Sequence, residues 1–370
     1  MINVFKPDMG DEEVQAVAEV LRSGWLGLGP KTSEFEKQFS NFIGVNHTVA
    51  LNSCTAALDL ALKLHGIKNG DEVIVTTMTF VSTAHAVAYN LAYPIFADID
   101  EHTKNIDVKD VEQKITSRTK AIIPVHFGGR PAELDELKAV AKGIPIIEDA
   151  AHACGSFYKD KRVGAHGNMT CYSFQAVKNL AMGDGGALTT DDKEMTNRAK
   201  RLRWLGIDKG TWDRTALDRS YWWEYYVDEI GLKCHLNDIL AAIGLVQLKK
   251  LDRMNERRRQ IKNLYNEGLA GLDRITLPVD DDAEHRSSWH IYSIGCDLRD
   301  KLSVFLQDNG IATGVHYKPI HFYKCYGNIT RLPVAEKVFA RALTLPVYPM
   351  LTDEDVHRII SCIRDFYKTA

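Results

Sequence analysis

The sequence CYSFQAVKNLAMGDGGALTT, residues 171–190, places a lysine between two apolar segments. Residues 172–174 are typical of the end of a buried strand, and residues 187–190 predict another strand. Between them, Lys178 precedes a turn that is too rich in glycine to be a helix. Desolvation at such a position lowers the pKa of an ammonium group, and a neutral amine is a nucleophile. Lys178 would then form a Schiff base with a carbonyl compound, most obviously pyridoxal phosphate. The alternative is a surface lysine on a loop.

A carboxylate and a histidine form the second chemical signal, Glu148-Asp149-Ala150-Ala151-His152, which follows an apolar segment at residues 145–147. A carboxylate at the end of a buried strand needs a cationic partner. A protonated pyridine nitrogen would serve, and Asp149 would then keep the ring an electron sink. Alternatively, Asp149 caps the next helix. His126 and His152 lack metal-ligand spacing with any cysteine, which argues against zinc.

The third signal is the turn Asn52-Ser53-Cys54-Thr55, between a predicted short strand and a predicted helix at residues 56–64. Such a turn brings free backbone N–H groups and the positive end of the helix dipole to one point, which suits a phosphate. The alternative is simple N-capping by serine or threonine, which is far commoner. The glycine fingerprints GxGxxG and GxxxxGK[ST] do not occur in the sequence.

Predicted strands and helices alternate through the first two-thirds of the chain, which indicates an α/β fold with a mostly parallel sheet covered on both faces. Ligands bind at the carboxyl ends of the strands in such sheets. A helix is predicted over residues 80–91, shortly after the carboxyl end of the apolar, β-branched segment at residues 72–76. The candidates at the strand ends are Ser53, Cys54, Thr55, Phe80, His126, Asp149, His152 and Ser173.

The later part of the chain has fewer chemical signals. Residues 194–205 predict a basic helix with a solvated charged face. The aromatic stretch 221–228, YWWEYYVD, fits a lid, a subunit contact or a wall for a substrate ring, and fits core packing equally well. From about residue 263 the pattern changes to α+β, with strands predicted at 289–296 and 311–316. A polar, aromatic loop follows, HYKPIH at residues 316–321.

Composition bounds the class of protein. The chain has 370 residues, 45% hydrophobic and 26% charged, which is ordinary for a globular protein of two domains. A net charge of -3 argues against a general nucleic-acid binder. We expect no membrane span and no signal peptide. The seven cysteines form no CxxC pair and indicate a reducing, cytoplasmic environment.

Taken together, these residues resemble the DegT/DnrJ/EryC1/StrS family of sugar aminotransferases over essentially the full chain. The matching segments are SGWLGLGPKTSEFE, NSCTAALDLAL, GDEVIVTTMTFVSTAHAV, IIEDAAHACG, SFQAVKNLAMGDGGALTT, EIGLKCHLNDILAAIGLVQL, GVHYKPIH and LTLPVYP. The resemblance implies fold type I of the pyridoxal-phosphate-dependent transferases. It implies a large domain, residues 1–250, with a mostly parallel seven-stranded sheet, and a small α+β domain, residues 251–370. It also implies a homodimer with shared active sites.

The resemblance also implies a set of cofactor contacts. Lys178 would form the Schiff base, Asp149 would contact the pyridine nitrogen, and His152 would lie near the ring hydroxyl. Phe80 would stack on the ring. The Cys54 and Thr55 amides with the Ser173 hydroxyl would hold the phosphate, and Lys233 would reach it from the neighbouring subunit. Three departures from the family pattern bear on the substrate: Cys54 for glycine, Asp184 for glutamate, and Lys233-Cys234-His235 for Asn-Tyr-Arg.

By the same resemblance, the reaction is transfer of an amino group from L-glutamate to a keto group on a nucleotide-linked hexose, for a surface polysaccharide or related glycan. The segment PVHFGGRPAELDEL favours a 4-keto-6-deoxyhexose over amination at C3. Alternatives are a keto sugar acid without a nucleotide, a lyase or dehydratase using the same cofactor, a non-catalytic cofactor binder, and a dehydrogenase. One relative in this family carries histidine at the lysine position and performs a dehydration, and Lys178 argues against that reaction here. The expected substrate contacts are Tyr221, Trp223, His316, Tyr317 and Lys318.

Overall fold

The computed structural model describes residues 1–208, 223–327 and 330–369. Its helices are α1 (Asp11–Ser23), α2 (Pro30–Ile43), α3 (Cys54–Leu64), α4 (Ser82–Tyr89), α5 (Val108–Lys114), α6 (Leu134–Ala141), α7 (Lys193–Leu202), α8 (Asp238–Leu269), α9 (Arg299–Asp308), α10 (Pro333–Arg341) and α11 (Asp353–Thr369). Its strands are β1 (His47–Leu51), β2 (Glu72–Thr76), β3 (Tyr93–Ala97), β4 (Thr119–Ile123), β5 (Ile147–Asp149), β6 (Phe157–Tyr158), β7 (Lys161–Arg162), β8 (Met169–Ser173), β9 (Gly186–Thr190), β10 (Ile275–Thr276), β11 (His285–Arg286), β12 (Tyr292–Cys296) and β13 (Ala342–Leu345). None of these helices is both long enough and apolar enough to span a membrane.

The main sheet has seven strands in the described residues. Two groups, β1-β9-β8-β5 and β3-β2-β4, are joined by parallel bridges between Ile122 and Ile146 and between Val125 and Asp149. The resulting order is β1-β9-β8-β5-β4-β2-β3. Only β9 runs antiparallel to its neighbours. The predicted sheet is therefore confirmed, and the carboxyl ends of its parallel strands share one edge.

Alternation along the strands fills a core on each face of this sheet. On one face, Leu51, Cys171 and Leu188 pack against α3 in one buried cluster. On the other face, Tyr172 and Phe174 pack with residues of α2 and α8. Both faces are covered, and the central strands β8 and β9 are buried along their whole length.

A second, antiparallel sheet of β10, β12 and β13 lies in the later part of the chain. It packs with α9 and α11 around a separate buried cluster that also includes Ile2 from the N-terminus. Ile2 forms a parallel bridge with Ile311, so the first residues of the chain pack with the second sheet and its buried cluster. α8 runs without interruption for 32 residues and contributes to both cores. The predicted division at residue 250 stays a prediction.

Several local predictions were wrong in their bounds. The strand predicted at 289–296 begins only at Tyr292, because Trp289 has the left-handed φ of 49°. Residues 311–316 form isolated bridges rather than a strand, since no neighbouring strand continues the ladder. The helix predicted over 80–91 is the shorter α4, and Leu91 leaves it with φ 59°. The basic helix ends at Leu202, and Arg203 is buried against Glu36 rather than solvated.

Candidate active site

A cavity of ≈ 460 Å³ opens at the carboxyl edge of the main sheet. It collects most of the predicted site residues from segments that are far apart in sequence. Its lining includes Ser53, Cys54, Thr55, Phe80, Asp149, His152, Ser173, Lys178, Asp184, His316 and Tyr317. His126, also predicted for this edge, does not line the cavity and is fully buried with Glu148 behind it.

Lys178 lies in the connection between β8 and β9. Its backbone N–H donates to the Gln175 carbonyl, and a bridge between Gln175 and Gly183 closes the loop. Desolvation by the surrounding protein lowers the pKa of the Lys178 amine to about 8, although Asp149 and Cys54 act in the opposite direction. An amine with this pKa is partly neutral near pH 7 and can attack a carbonyl carbon.

Asp149 is the last residue of β5 and is almost completely buried. Its carboxylate accepts hydrogen bonds from the Thr83 hydroxyl at 2.8 Å and from the Ala151 N–H at 3.1 Å. Burial raises the pKa of this carboxyl group against the effect of those two donors. Among the described residues no lysine, arginine or histidine forms an ion pair with it. The site therefore offers a buried carboxylate that suits a cationic ring nitrogen.

The preceding residue, Glu148, points to the opposite side of β5. There it meets His126 Nε2 at 2.9 Å and accepts a hydrogen bond from Asn168 at 2.7 Å. Burial opposes its ionisation, but these partners outweigh burial and lower the pKa of Glu148. Two adjacent carboxylates on β5 thus have different surroundings, and only Asp149 faces the cavity.

His152 and Tyr317 both line the cavity and contact each other. His152 Nε2 lies 2.9 Å from the Tyr317 hydroxyl, and the His152 ring stacks on His290 with centroids 4.8 Å apart. The buried Nδ1 of His152 has no hydrogen-bond partner among the described residues. Burial holds the pKa of His152 well below its usual value, with Lys178 adding to the effect, so the imidazole is neutral. Burial likewise raises the pKa of Tyr317.

The N-terminus of α3 forms the other end of the cavity. Ser53 is the N-cap, and its hydroxyl accepts from the Ala56 N–H at 3.1 Å. Cys54 and Thr55 lie in the first turn, where the helix dipole favours an anion. Gly186 at the start of β9 packs so closely here that an added Cβ would lie 2.3 Å from the Ser53 carbonyl carbon. The hydrogen bond from the Ala56 N–H to the Ser53 hydroxyl shows that Ser53 caps α3, as the alternative interpretation predicted. This cap leaves the phosphate interpretation open.

Other predicted residues lie outside this arrangement or at its margin. Phe80 lines the cavity and is 58% exposed, and the centre of its ring lies 6.3 Å from that of the Tyr317 ring. Lys318 and Lys233 do not line it: Lys318 Nζ lies 5.1 Å from the Tyr323 ring centroid, and Lys233 Nζ lies 5.1 Å from that of Trp204. Trp223 is exposed and also does not line it. Tyr221 lies outside the described residues.

Sequence reasoning missed two residues of the site. Thr83 donates a hydrogen bond to Asp149, and the His290 ring stacks on the His152 ring. The hydroxyl run after β2, TTMTFVST, was a usable signal for Thr83, since it leads directly into α4 at the same sheet edge. Nothing near His290 in the sequence points to the cavity.

These residues fit pyridoxal phosphate on structural grounds. A helix N-terminus suits its phosphate, a buried carboxylate without a cation suits its ring nitrogen, and the unpaired Nδ1 of His152 offers a polar atom for a ring substituent. The Lys178 amine, with its lowered pKa, suits the aldehyde. The arrangement can bind such a ring and move protons at its edge.

Comparisons with known proteins give a consistent result. The sequence pattern of the DegT/DnrJ/EryC1/StrS aminotransferase family matches residues 7–364. The spore coat polysaccharide biosynthesis protein SpsC of Bacillus subtilis is 43% identical over 379 aligned residues, covering 98% of this chain and 96% of that protein. The aminotransferase TlmJ of Streptoalloteichus hindustanus superposes with a TM-score of 0.94 at 37% identity, covering 100% of this chain and 99% of that one. The candidate sugar aminotransferase Spr1654 of Streptococcus pneumoniae, in its PLP form, gives a TM-score of 0.92 at 34% identity, with coverage of 100% and 99%.

Proposed function

Because the chain belongs to the DegT/DnrJ/EryC1/StrS aminotransferase family and is a PLP-dependent aminotransferase, we propose that it aminates a keto-sugar with L-glutamate as donor. The observation that carries this proposal is the Lys178 amine, with its lowered pKa, in the same cavity as Asp149. The acceptor is a nucleotide-linked 4-keto-6-deoxyhexose, and the product is an amino sugar for a surface polysaccharide. The name of the Bacillus subtilis relative, a spore coat polysaccharide protein, supports the pathway.

In the proposed site, each cofactor group has a residue assigned to it. Lys178 would hold the aldehyde carbon, Asp149 the ring nitrogen and His152 the ring hydroxyl, while Phe80 would cover the ring face. The Cys54 and Thr55 amides and the Ser173 hydroxyl bind the phosphate at the start of α3. When bound, PLP supplies an electron-poor ring that stabilises negative charge on the substrate carbon.

The chain's own residues perform the proton transfers. Lys178 Nζ, partly neutral near pH 7, would take the proton from the α-carbon of the donor as general base and would give it up again as general acid. Asp149 would favour a proton on the ring nitrogen, because its carboxylate lines the cavity and pairs with no cation of the described residues. Neutral His152, whose Nε2 is 2.9 Å from the Tyr317 hydroxyl, fixes the ring without adding a charge. His316, Tyr317, Lys318, Tyr221 and Trp223 are the proposed sugar or nucleotide contacts.

We also propose a homodimer with shared active sites, in the cytoplasm. Val227 and Ile230 are 55% and 97% exposed, and they shortly precede Lys233, which would reach the phosphate of the second subunit. A partner subunit would cover these apolar side chains. All seven cysteines are free, which agrees with a reducing compartment.

The first test is the visible absorption of the purified protein with PLP, before and after L-glutamate. We expect a yellow band that glutamate bleaches and that Lys178→Ala cannot form. Lys104→Ala is the matched control, since Lys104 is another enclosed lysine with a pKa lowered to about 8 but lies outside this cavity. A protein that remains colourless with PLP contradicts the assignment of Lys178. A band indifferent to glutamate contradicts the donor and favours another donor or a lyase.

The acceptor is tested separately. The glutamate-treated protein is mixed with nucleotide-linked 3-keto and 4-keto sugars and with a keto sugar acid, and return of the yellow band is followed. We expect the 4-keto-6-deoxyhexose to restore the band, with the amine at C4 by NMR. Restoration by the 3-keto sugar or the sugar acid alone would overturn the acceptor assignment but not the half-reaction.

A further inference from the structure

The carboxylate of Asp149 is held by a chain of two buried hydroxyl groups. Thr83 Oγ1 donates to Asp149 Oδ2 at 2.8 Å, and Thr79 Oγ1 lies 2.9 Å from Thr83 Oγ1. Because the Thr83 proton is used on the carboxylate, the Thr83 oxygen must accept from Thr79. Thr83 is fully buried and Thr79 is 3% exposed, so bulk water does not compete for these bonds.

The position of this hydroxyl chain connects two parts of the cavity. Thr79 and Phe80 line the cavity where the chain leaves β2, and Thr83 lies in the first turn of α4. Asp149 comes from β5, 66 residues further along the sequence. The hydroxyl chain therefore fixes the carboxylate relative to the segment that carries Phe80.

The hydroxyl chain also affects the charge of Asp149. Burial favours the neutral carboxylic acid, whereas a donor to the carboxylate favours the ionised form. The Thr83 hydroxyl and the Ala151 N–H are the donors to the Asp149 carboxylate among the described residues, and only the hydroxyl can be removed by a side-chain substitution. Loss of a hydrogen bond to a charged group changes an equilibrium constant by roughly 10- to 150-fold. Consecutive hydroxyl groups also strengthen each other by polarisation.

We propose that Thr83, supported by Thr79, is a positioning residue that keeps Asp149 ionised and aimed at the ring nitrogen of the cofactor. This inference rests on the proposed function, since it takes the Asp149 carboxylate as the partner of that nitrogen. Thr83 does not touch the reacting atoms and acts only through Asp149.

The test compares two cofactors with the full-length chain. Pyridoxal phosphate is titrated into wild type and Thr83→Val, and so is deazapyridoxal phosphate, in which carbon replaces the ring nitrogen. Valine keeps the shape of threonine and removes the hydroxyl. We expect Thr83→Val to raise the Kd for pyridoxal phosphate at least tenfold and the Kd for the deaza analogue less than twofold. Thr83→Ser should restore the affinity to within about threefold, because one hydrogen bond to a charged group accounts for the loss.

Two further variants make the comparison sharper. Thr79→Val should give a smaller loss with the same dependence on the ring nitrogen. Thr170→Val is the matched control, since Thr170 is fully buried on β8 and its hydroxyl has no partner among the described residues. It should bind both cofactors as wild type does.

The outcomes separate this inference from the proposed function. An equal loss for both cofactors in Thr83→Val would mean that Thr83 only packs, and no loss would mean that its hydroxyl is idle; either result overturns the inference. In both cases wild type still binds pyridoxal phosphate and responds to glutamate. Failure of wild type itself to do so would overturn the proposed function instead.

Discussion

The lowered pKa of Lys178 predicts how fast the chain captures its cofactor at each pH. Only the neutral amine attacks an aldehyde, so the capture rate follows the neutral fraction of Lys178. Burial lowers the pKa from 10.5 to about 8. At pH 7 about one Lys178 in ten is then neutral, against about three in ten thousand for an ordinary lysine. The predicted advantage at pH 7 is therefore about 300-fold from ionisation alone.

The assay follows the yellow band after cofactor-free protein is mixed with pyridoxal phosphate between pH 6.5 and 10. The rate for Nα-acetyl-lysine, which keeps a free side-chain amine, is measured in parallel. The ratio of the protein rate to this rate removes the effect of the titration of pyridoxal phosphate itself. We expect the protein rate to rise about tenfold per pH unit and to level above pH 8, whereas the rate for the free amine rises through pH 10. Lys104→Met should leave this profile unchanged, because Lys104 lies outside the cavity.

Asp149→Asn tests the cause of the shift. Asp149 raises the pKa of Lys178 against the desolvation that lowers it. Removing that charge should move the levelling point below that of wild type. A wild-type rate that continues to rise through pH 10 would refute the argument from burial. A levelling point that moves upward in Asp149→Asn would refute the assignment of the charge effect.

Three further predictions follow from buried groups. Burial lowers the pKa of Lys104 to about 8, so the unfolded chain binds more protons than the folded chain between pH 8 and 10.5. Over that window the free energy of unfolding of wild type should rise by about 3 kcal/mol relative to Lys104→Met. A difference between the two proteins in urea unfolding that stays constant with pH would contradict this. Gly186→Ala should lower stability by about 1–3 kcal/mol and weaken binding of pyridoxal phosphate, because the added Cβ would clash with the Ser53–Cys54 peptide. Gly27→Ala is the control, since a Cβ there has open space, and equal melting temperatures and Kd values for the two variants would contradict the prediction. Ser53→Ala should cost about 1 kcal/mol in urea unfolding by removing the N-cap of α3, and an unchanged midpoint would show that the cap is dispensable.

The sequence predicted the main sheet and most of the cavity because their signals are local. A strand followed by a charged or hydroxyl residue is visible in a short window, and parallel strands bring such positions to one edge. Asp149, Lys178 and the turn at Ser53 were found in this way, and the structure places them in one cavity. Their contacts with the cofactor remain proposals.

What the sequence did not predict depends on partners distant in the chain. Arg203 looked solvated, yet it is buried against Glu36, 167 residues away. Residues 311–316 have an extended pattern, but a strand also needs a neighbour to complete its ladder, and no local window contains that neighbour. The role of Thr83 likewise requires Asp149 to be nearby in space.

The cavity draws its residues from segments between Ser53 and Tyr317, and this spread has a consequence during synthesis. Until those segments assemble, Lys178 is surrounded by water and is an ordinary lysine, one of many in the chain. Its preference for the aldehyde arises only when the fold is complete. An incomplete or damaged chain therefore does not compete for the cofactor, and the yellow colour of a preparation measures how much of it is native.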